Sequence, residues 1–392
     1  MIKDVRVYPS FMAMGKETVT VKAITDRGTY SASVPSGTSR GSHEAKEFTF
    51  AKVKSVLSEI RHEFIRKPED WQKIDEFILK LDGTKDFSRI GMNLALGISI
   101  AVARAQTFGE LWKLNNSELR KAVFPHPLGN IIGGGQHGGG TDWQEFLFLD
   151  YMSKSPYDAV ERMIEMWSSV GDELARKKLL VGRNLENAWM AIMDEYKTLD
   201  FLSEIASDWS VKLGIDFAAS SLWNGKKYVY KKSGKELTKD QHMDFIEDVA
   251  KKYNIYYLED PFEENDYESF SELKRTLPNG HHVIGDDLYV TNAERFKKGI
   301  EENSSHGIII KPNQVGTLIQ TKQVVDLCHE HKQMIVPSHR SGETTDPWLA
   351  DLAIAWNAHI IKISSSGVDL AKHNRLIDLW NEIPHVEMAQ LP

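Results

Sequence analysis

Two hydrophobic periods divide the chain. From Thr18 to Ile24 and from Thr29 to Val34, apolar and polar positions alternate with period two, and Asp26-Arg27-Gly28 between them carries turn residues. That pattern predicts two half-buried strands joined by a tight turn. A loop rich in Gly, Ser and Pro follows, from Pro35 to Ser42. Apolar residues then recur at helical spacing over Lys52 to Phe64, Trp71 to Leu81 and Asn93 to Phe108, which predicts three helices. Strands first and helices after predict a small α+β domain over residues 1–122.

From Pro127 onward the texture changes. Short continuous apolar runs each end on one polar group, and a helical stretch follows. The groups are Asp216, Glu259, Asp286, Lys311, His339 and Lys362, separated by steps of 43, 27, 25, 28 and 23 residues. The last four steps each match one βα unit. Continuous apolar strands are those of parallel sheets buried on both faces. The expected architecture for 127–392 is therefore α/β, a TIM-like β/α barrel, with the polar groups gathered at the C-terminal mouth where such barrels carry their chemistry. One charge behind an apolar run is ordinarily just where a strand meets solvent. Six in series, two of them lysines and one a histidine, are not turn chemistry.

Composition mainly excludes. The chain has 392 residues, enough for a barrel and a second domain, and a formal net charge of −8. That charge disfavours nucleic acid or an anionic membrane as the main partner. The single cysteine, Cys328, cannot form an intramolecular disulfide and fits a reducing, cytoplasmic location. No apolar leader opens the sequence, and no apolar run is long enough to span a bilayer.

Asp216, Glu259 and Asp286 offer hard oxygen donors on neighbouring strands, which suits Mg²⁺ better than Zn²⁺. Without a cation they would repel and raise one another's pKa. Lys311 and Lys362 come next around the ring. A lysine beside a second cation and a metal has its ammonium form disfavoured and is a candidate base. His339-Arg340-Ser341 offers a planar fork and a hydroxyl suited to phosphate. Trp143, beside Gln144, is expected to be a packed barrel residue.

Longer motifs then carry a resemblance. The stretch Ser33 to Ala45 is similar to the enolase family's SVPSGAS-x-G-x-x-EA loop, and Ile90 to Ala105 to its IG-x-NA-x-LG-x-S-x-A helix. Asn130 to His137 with Gln144-Glu145-Phe146 resembles its NIINGG-x-H … QEF stretch. Glu259 to Phe262, Asp286 to Asn292, Lys311 to Leu318 and Ser338 to Thr344 also match, in order.

The resemblance implies an enolase-type β/α barrel with an N-terminal α+β capping domain, a homodimer or higher oligomer, and reversible dehydration of 2-phosphoglycerate through a lysine base and a metal-stabilised enolate. By the same resemblance Asp216, Glu259 and Asp286 hold a first Mg²⁺, and Ser39 helps complete a second as its loop closes. Lys311 takes the C2 proton, Lys362 contacts the substrate carboxylate, and Arg340 and Ser341 hold the phosphate. His137, Gln144, Glu145 and His339 line the pocket, with Glu145 near the departing hydroxyl.

Departures cluster in the half of the site that expels hydroxide. The family's GDEGG-F-AP loop reads Gly182-Arg183-Asn184-Leu185-Glu186-Asn187-Ala188, which places Asn184 at the acid position. Asn184 can hydrogen-bond but cannot supply a proton at neutral pH. Glu186, if the loop bends, or Glu145 alone could take that role. The family's two arginines after the lysine are missing from Lys362 to Asp369, the asparagine of NGG is Gly133, and Thr20 replaces an acidic residue of the family's dimer contact. Two other readings compete: a paralogue enolising a different phospho- or phosphono-carboxylate, and a non-catalytic binding protein on the same fold.

Overall fold

The computed structural model describes residues 1–37, 41–114 and 121–392. Three antiparallel strands open it: β1 (Ile2–Phe11), β2 (Glu17–Thr25) and β3 (Gly28–Ser33). The period-two signal covers β2 and β3. β1 carries Pro9 and little alternation, as an edge strand can, and its pairing with β2 defines it. Helices α1 (Phe50–Ile60), α2 (Trp71–Asp82) and α3 (Met92–Gln106) follow. The helix expected to run to Phe64 instead tightens into a 3₁₀ turn over Arg61–Phe64. α3 is buried almost all round because it lies between the small sheet and the rest of the molecule.

β4 (Ala122–Phe124) pairs with the last strand, β17 (Val386–Met388), outside the main sheet. The barrel strands are β5 (His126–Gly133), β6 (Glu145–Leu149), β9 (Lys212–Asp216), β12 (Tyr257–Glu259), β13 (His282–Gly285), β14 (Gly307–Ile310), β15 (Met334–Pro337) and β16 (Ile360–Lys362). From β5 to β15 each pairs with the next in this order. β16 returns to β5, and a bridge from Ser338 to Lys362 closes the ring.

Between these strands run α4 (Pro156–Arg176), the hairpin β7 (Leu180–Arg183) and β8 (Trp189–Ala191), and α5 (Glu195–Trp209). After β9 a second hairpin, β10 (Tyr228–Tyr230) and β11 (Lys235–Leu237), precedes α6 (Lys239–Lys252), which accounts for the long step from Asp216 to Glu259. The later units carry α7 (Tyr267–Thr276), α8 (Ala293–Glu301), α9 (Leu318–His331), α10 (Trp348–Ala355) and α11 (Leu370–Glu382).

One feature is absent from the sequence pattern. β6 runs antiparallel to both β5 and β9, so its beginning rather than its end reaches the mouth. Glu145 thereby stands opposite Asp216.

Strand parity aims the site. Leu147, Leu149, Tyr257, Ile284, Ile309, Val336 and Ile360 belong to one buried cluster distinct from the core beneath the helices. Side chains two apart on a strand share a face. Glu145, Glu259, Asp286, Lys311 and Lys362 are each two residues from a member of that cluster, so their strands direct them to the same interior. Among the described residues no helix is long and apolar enough to cross a membrane.

Candidate active site

A cavity at the barrel mouth is lined by His137, Gln144, Glu145, Glu186, Asp216, Asp286, Lys311, His339, Arg340, Ser341 and Lys362, all expected from the sequence. Glu44, Ala218, Asp260, Asp287 and Ser338 complete the wall. The last three neighbour expected residues in Glu-Asp, Asp-Asp and Ser-His pairs, which was the signal available for them. Glu259 lies just beneath and is fully buried. Ser39 lies outside the described residues. Trp143 is packed among Phe146, Phe217 and Phe245, its indole N–H donating to the Tyr230 hydroxyl at 3.3 Å.

Asn184 is not on the wall. Its side-chain oxygen accepts from the backbone N–H groups of Glu186 (3.0 Å) and Ala188 (2.9 Å), and its own N–H donates to the Ala188 carbonyl. This local Asx-type turn tightens the tip of the β7–β8 hairpin and sends Glu186 inward. Glu186 is buried, accepts from Asn130 Nδ2 at 3.2 Å, and lies 3.3 Å from His137 Nδ1. Glu145 is 3.6 Å from the same nitrogen. Two carboxyl groups therefore share one imidazole at the end of the cavity.

Their environments separate them. Burial pushes Glu145 up, the Lys362 ammonium opposes, and the result is about 7. Burial acts on Glu186 in the same direction, but the charge and hydrogen bond of His137 outweigh it and hold Glu186 well below the usual range. His137 would be lowered by burial alone; Glu186 and Glu145 hold it up at about 9. A protonated carboxyl beside an ionised one, with an imidazolium between, is an arrangement suited to proton delivery.

At the other end two lysines hold the carboxylates. Lys362 Nζ lies 2.9 Å from Asp216, 2.8 Å from Glu259 and 2.9 Å from Glu145. Lys311 Nζ is bonded to Asp286. Burial disfavours both ammonium ions, but these carboxylates outweigh it and raise both lysines. The sequence expectation of a disfavoured ammonium supposed a metal beside the lysines; with the carboxylates as their nearest partners, both are held up. Asp216 and Glu259 thus close on Lys362 while Asp286 turns to Lys311.

Asp260, with φ 42°, accepts from the backbone N–H groups of Asp286 (2.9 Å) and Asp287 (2.6 Å) and shapes the turn after β13. Asp260, Asp286 and Asp287 bring ligand atoms within 4.8 Å of one another, as do His137, Glu145 and Glu186. The all-oxygen carboxylate set fits a hard divalent cation. Glu259 is pushed well above its usual value by burial and by Asp216, a conflict that a cation removes.

Arg340 is buried, its guanidinium donating to Glu44 at 3.1 Å and to Asn313 at 3.0 Å. Gly37 passes so close to this guanidinium that a Cβ there would come within 2.1 Å of it and push the Arg340 side chain aside.

Residues 2–114 match the family described as "Enolase, N-terminal domain", and residues 121–389 match "Enolase, C-terminal TIM barrel domain". The chain belongs to the enolase family. The enolase of Methanosphaera stadtmanae is 35% identical over 412 aligned positions, covering 100% of this chain and 99% of the relative. That of Archaeoglobus fulgidus is 36% identical, covering 96% of each. That of Pyrobaculum aerophilum is 36% identical, covering 88% of this chain and 87% of its own. Membership makes the chain a lyase of the enolase type, and the sixteen-residue cavity is the mouth of its TIM barrel.

Proposed function

We propose that this chain catalyses the reversible dehydration of 2-phosphoglycerate to phosphoenolpyruvate, with Glu186 and Glu145 together in the role the family gives to its loop acid. The observation that carries the reading is the Glu186 carboxyl inside the cavity, beside Glu145 and His137. Asn184 shapes the turn that brings a second carboxyl beside Glu145.

The roles divide the cavity. Arg340 and Ser341 bind the phosphate, which then takes the place of Glu44 on the guanidinium. Lys362 faces the substrate carboxylate. Lys311 accepts the proton from C2 as the neutral amine, reached when its pairing with Asp286 loosens and its ammonium proton passes to solvent. The C3–O bond then breaks, the electron pair from the C2–H bond forms the new double bond, and the protonated carboxyl of the Glu145–Glu186 pair gives the departing hydroxyl its proton so that water leaves. Asp216, Glu259 and Asp286 are the residues to hold Mg²⁺, with Ser39 completing a second site. Bound there, Mg²⁺ supplies electrostatic stabilisation of the charge that gathers on the substrate carboxylate.

The test incubates the protein with Mg²⁺ and 2-phosphoglycerate in D₂O, following phosphoenolpyruvate by absorbance and deuterium at C2 by NMR. Phosphoenolpyruvate, abolished by Lys311→Ala, supports the reading. Exchange at C2 without phosphoenolpyruvate transfers support to a paralogue acting on another phospho- or phosphono-carboxylate, a reading that the missing arginines favour. Absence of both signals sinks the proposal.

A further inference from the structure

His339 forms one wall of the cavity, and what holds it lies outside the cavity. Its Nδ1 is 2.5 Å from Asp369 Oδ2. Asp369 stands in the turn between β16 and α11, the stretch in which the resemblance expects arginines and the chain has none. The same Oδ2 accepts from the Ser364 backbone N–H at 3.0 Å, and Oδ1 accepts from Lys372 Nζ at 2.7 Å. Lys372 also reaches Glu343 Oε2 at 3.0 Å, and Glu343 Oε1 accepts from the backbone N–H of Arg340 at 3.0 Å. His339, Asp369, Lys372 and Glu343 are each at most 4% exposed.

Every charged group in this layer is therefore paired, and Asp369 joins the imidazole to the rest. The groups facing His339 are Asp369 from the turn before α11, Glu186 from the β7–β8 tip and Glu145 from β6. Behind Asp369 stand Lys372 and Glu343. His373, whose Nε2 lies 2.9 Å from the Ser364 carbonyl, is lowered by burial. The turn also packs against the hairpin that carries Glu186: a Cβ at Gly367 would meet Asn187 Nδ2 at 2.0 Å, so the two loops touch.

We propose that Asp369 is a positioning residue for the dehydration: by accepting the Nδ1–H of His339 it fixes the ring's tautomer and orientation, so that Nε2 is the nitrogen presented to the Glu186–Glu145 pair. An imidazole with one nitrogen committed to a carboxylate has one nitrogen left for the reaction. Without Asp369 the ring can turn over or exchange tautomers, and the acid pair loses a defined neighbour. The inference rests on the reading that this pair is the proton donor.

The test joins a spectrum to kinetics. In the ¹⁵N–¹H spectrum of the Mg²⁺-supplied wild-type protein, His339 should show a protonated Nδ1. Asp369→Asn should lose that signature and lower kcat for 2-phosphoglycerate by about 10-fold to 10⁴-fold, with KM changed far less, because Asp369 reaches the Arg340 backbone only through Lys372 and Glu343. In a His339→Gln background, Asp369→Asn should have no further effect on the residual rate. An unprotonated Nδ1 in the wild-type spectrum overturns the proposal even if the variant does not fold. So does an Asp369→Asn protein with wild-type kcat, or one whose effect is undiminished without His339. If the wild-type protein forms no phosphoenolpyruvate, the functional reading fails instead, and the Nδ1 signal alone supports or overturns the pairing.

Discussion

Glu186 and Asn184 show how two positions in one loop can exchange roles. An acid aligned on Asn184 would have to reach the cavity from a residue whose side chain is spent on two backbone N–H groups. Two positions later the chain points inward, and Glu186 finds His137 and Asn130. Glu186→Gln should therefore lower kcat by ~10²–10⁴ with little change in KM, because the ionised partner that holds His137 beside the Glu145 carboxyl is gone. The same change removes the largest anion beside His137, so that imidazole should titrate below its value of about 9. An NMR titration of His137 in the variant checks this, and an unmoved pKa would separate the two groups. Lys311 and Lys362 teach a complementary lesson: whether a buried lysine is held charged depends on which neighbour is nearest, a matter of ångströms that spacing along the chain does not contain.

At the scale of elements, the joint between the small domain and the barrel is made by helix ends. α9 begins at Leu318, and Thr317 supplies its N-cap. The backbone N–H of Ile319 donates at 2.9 Å to Asp75 Oδ2, a carboxylate from α2, which also accepts from Ser99 of α3. A carboxylate at a helix N-terminus is favourable. Burial nevertheless pushes Asp75 up from an ordinary 3.8 to about 7. The folded state then binds this proton more tightly than the unfolded chain. Its contribution to stability is constant below about pH 4, falls as the pH rises to about 7, and is constant again above. Urea unfolding of wild type and Asp75→Asn across that range is the check. The wild-type advantage over the variant should shrink with rising pH, and a flat difference would show that Asp75 titrates normally. Helix and strand periods were readable here because propensity and pattern agree. β1 and the antiparallel course of β6 were not, since an edge strand needs no alternation and strand direction leaves no mark on a short apolar run.

For the whole molecule, the cap and barrel are fastened by a bidentate pair from Arg104 to Asp346 (2.9 and 2.6 Å), by Trp348 Nε1 donating to the Ser33 carbonyl at 3.0 Å, and by a bridge from Ser36 to Gly342. These contacts set Ser36 and Gly37 beside the mouth. Beneath it sits an excess of buried carboxylate that two lysines only partly offset. Mg²⁺ should raise the unfolding temperature saturably, by a stabilisation of about 2.7 kcal/mol at a hundredfold excess over Kd. EDTA should reverse the gain, and Asp286→Asn should remove most of it. Equal midpoints with and without Mg²⁺ in a thermal melt would remove the metal site from these carboxylates.

The sequence by itself determined the barrel, the six strand-end groups and the family, because buried strands need continuous apolar runs and strand parity carries Glu259, Asp286, Lys311 and Lys362 to the interior. Which carboxylate each lysine holds, which residue of the acid loop enters the cavity, and that Asp369 stands behind His339 were decided only by the tertiary structure. Those facts depend on segments 25 to 146 residues apart meeting in space, and pairing energies over a few ångströms are not written in local periodicity.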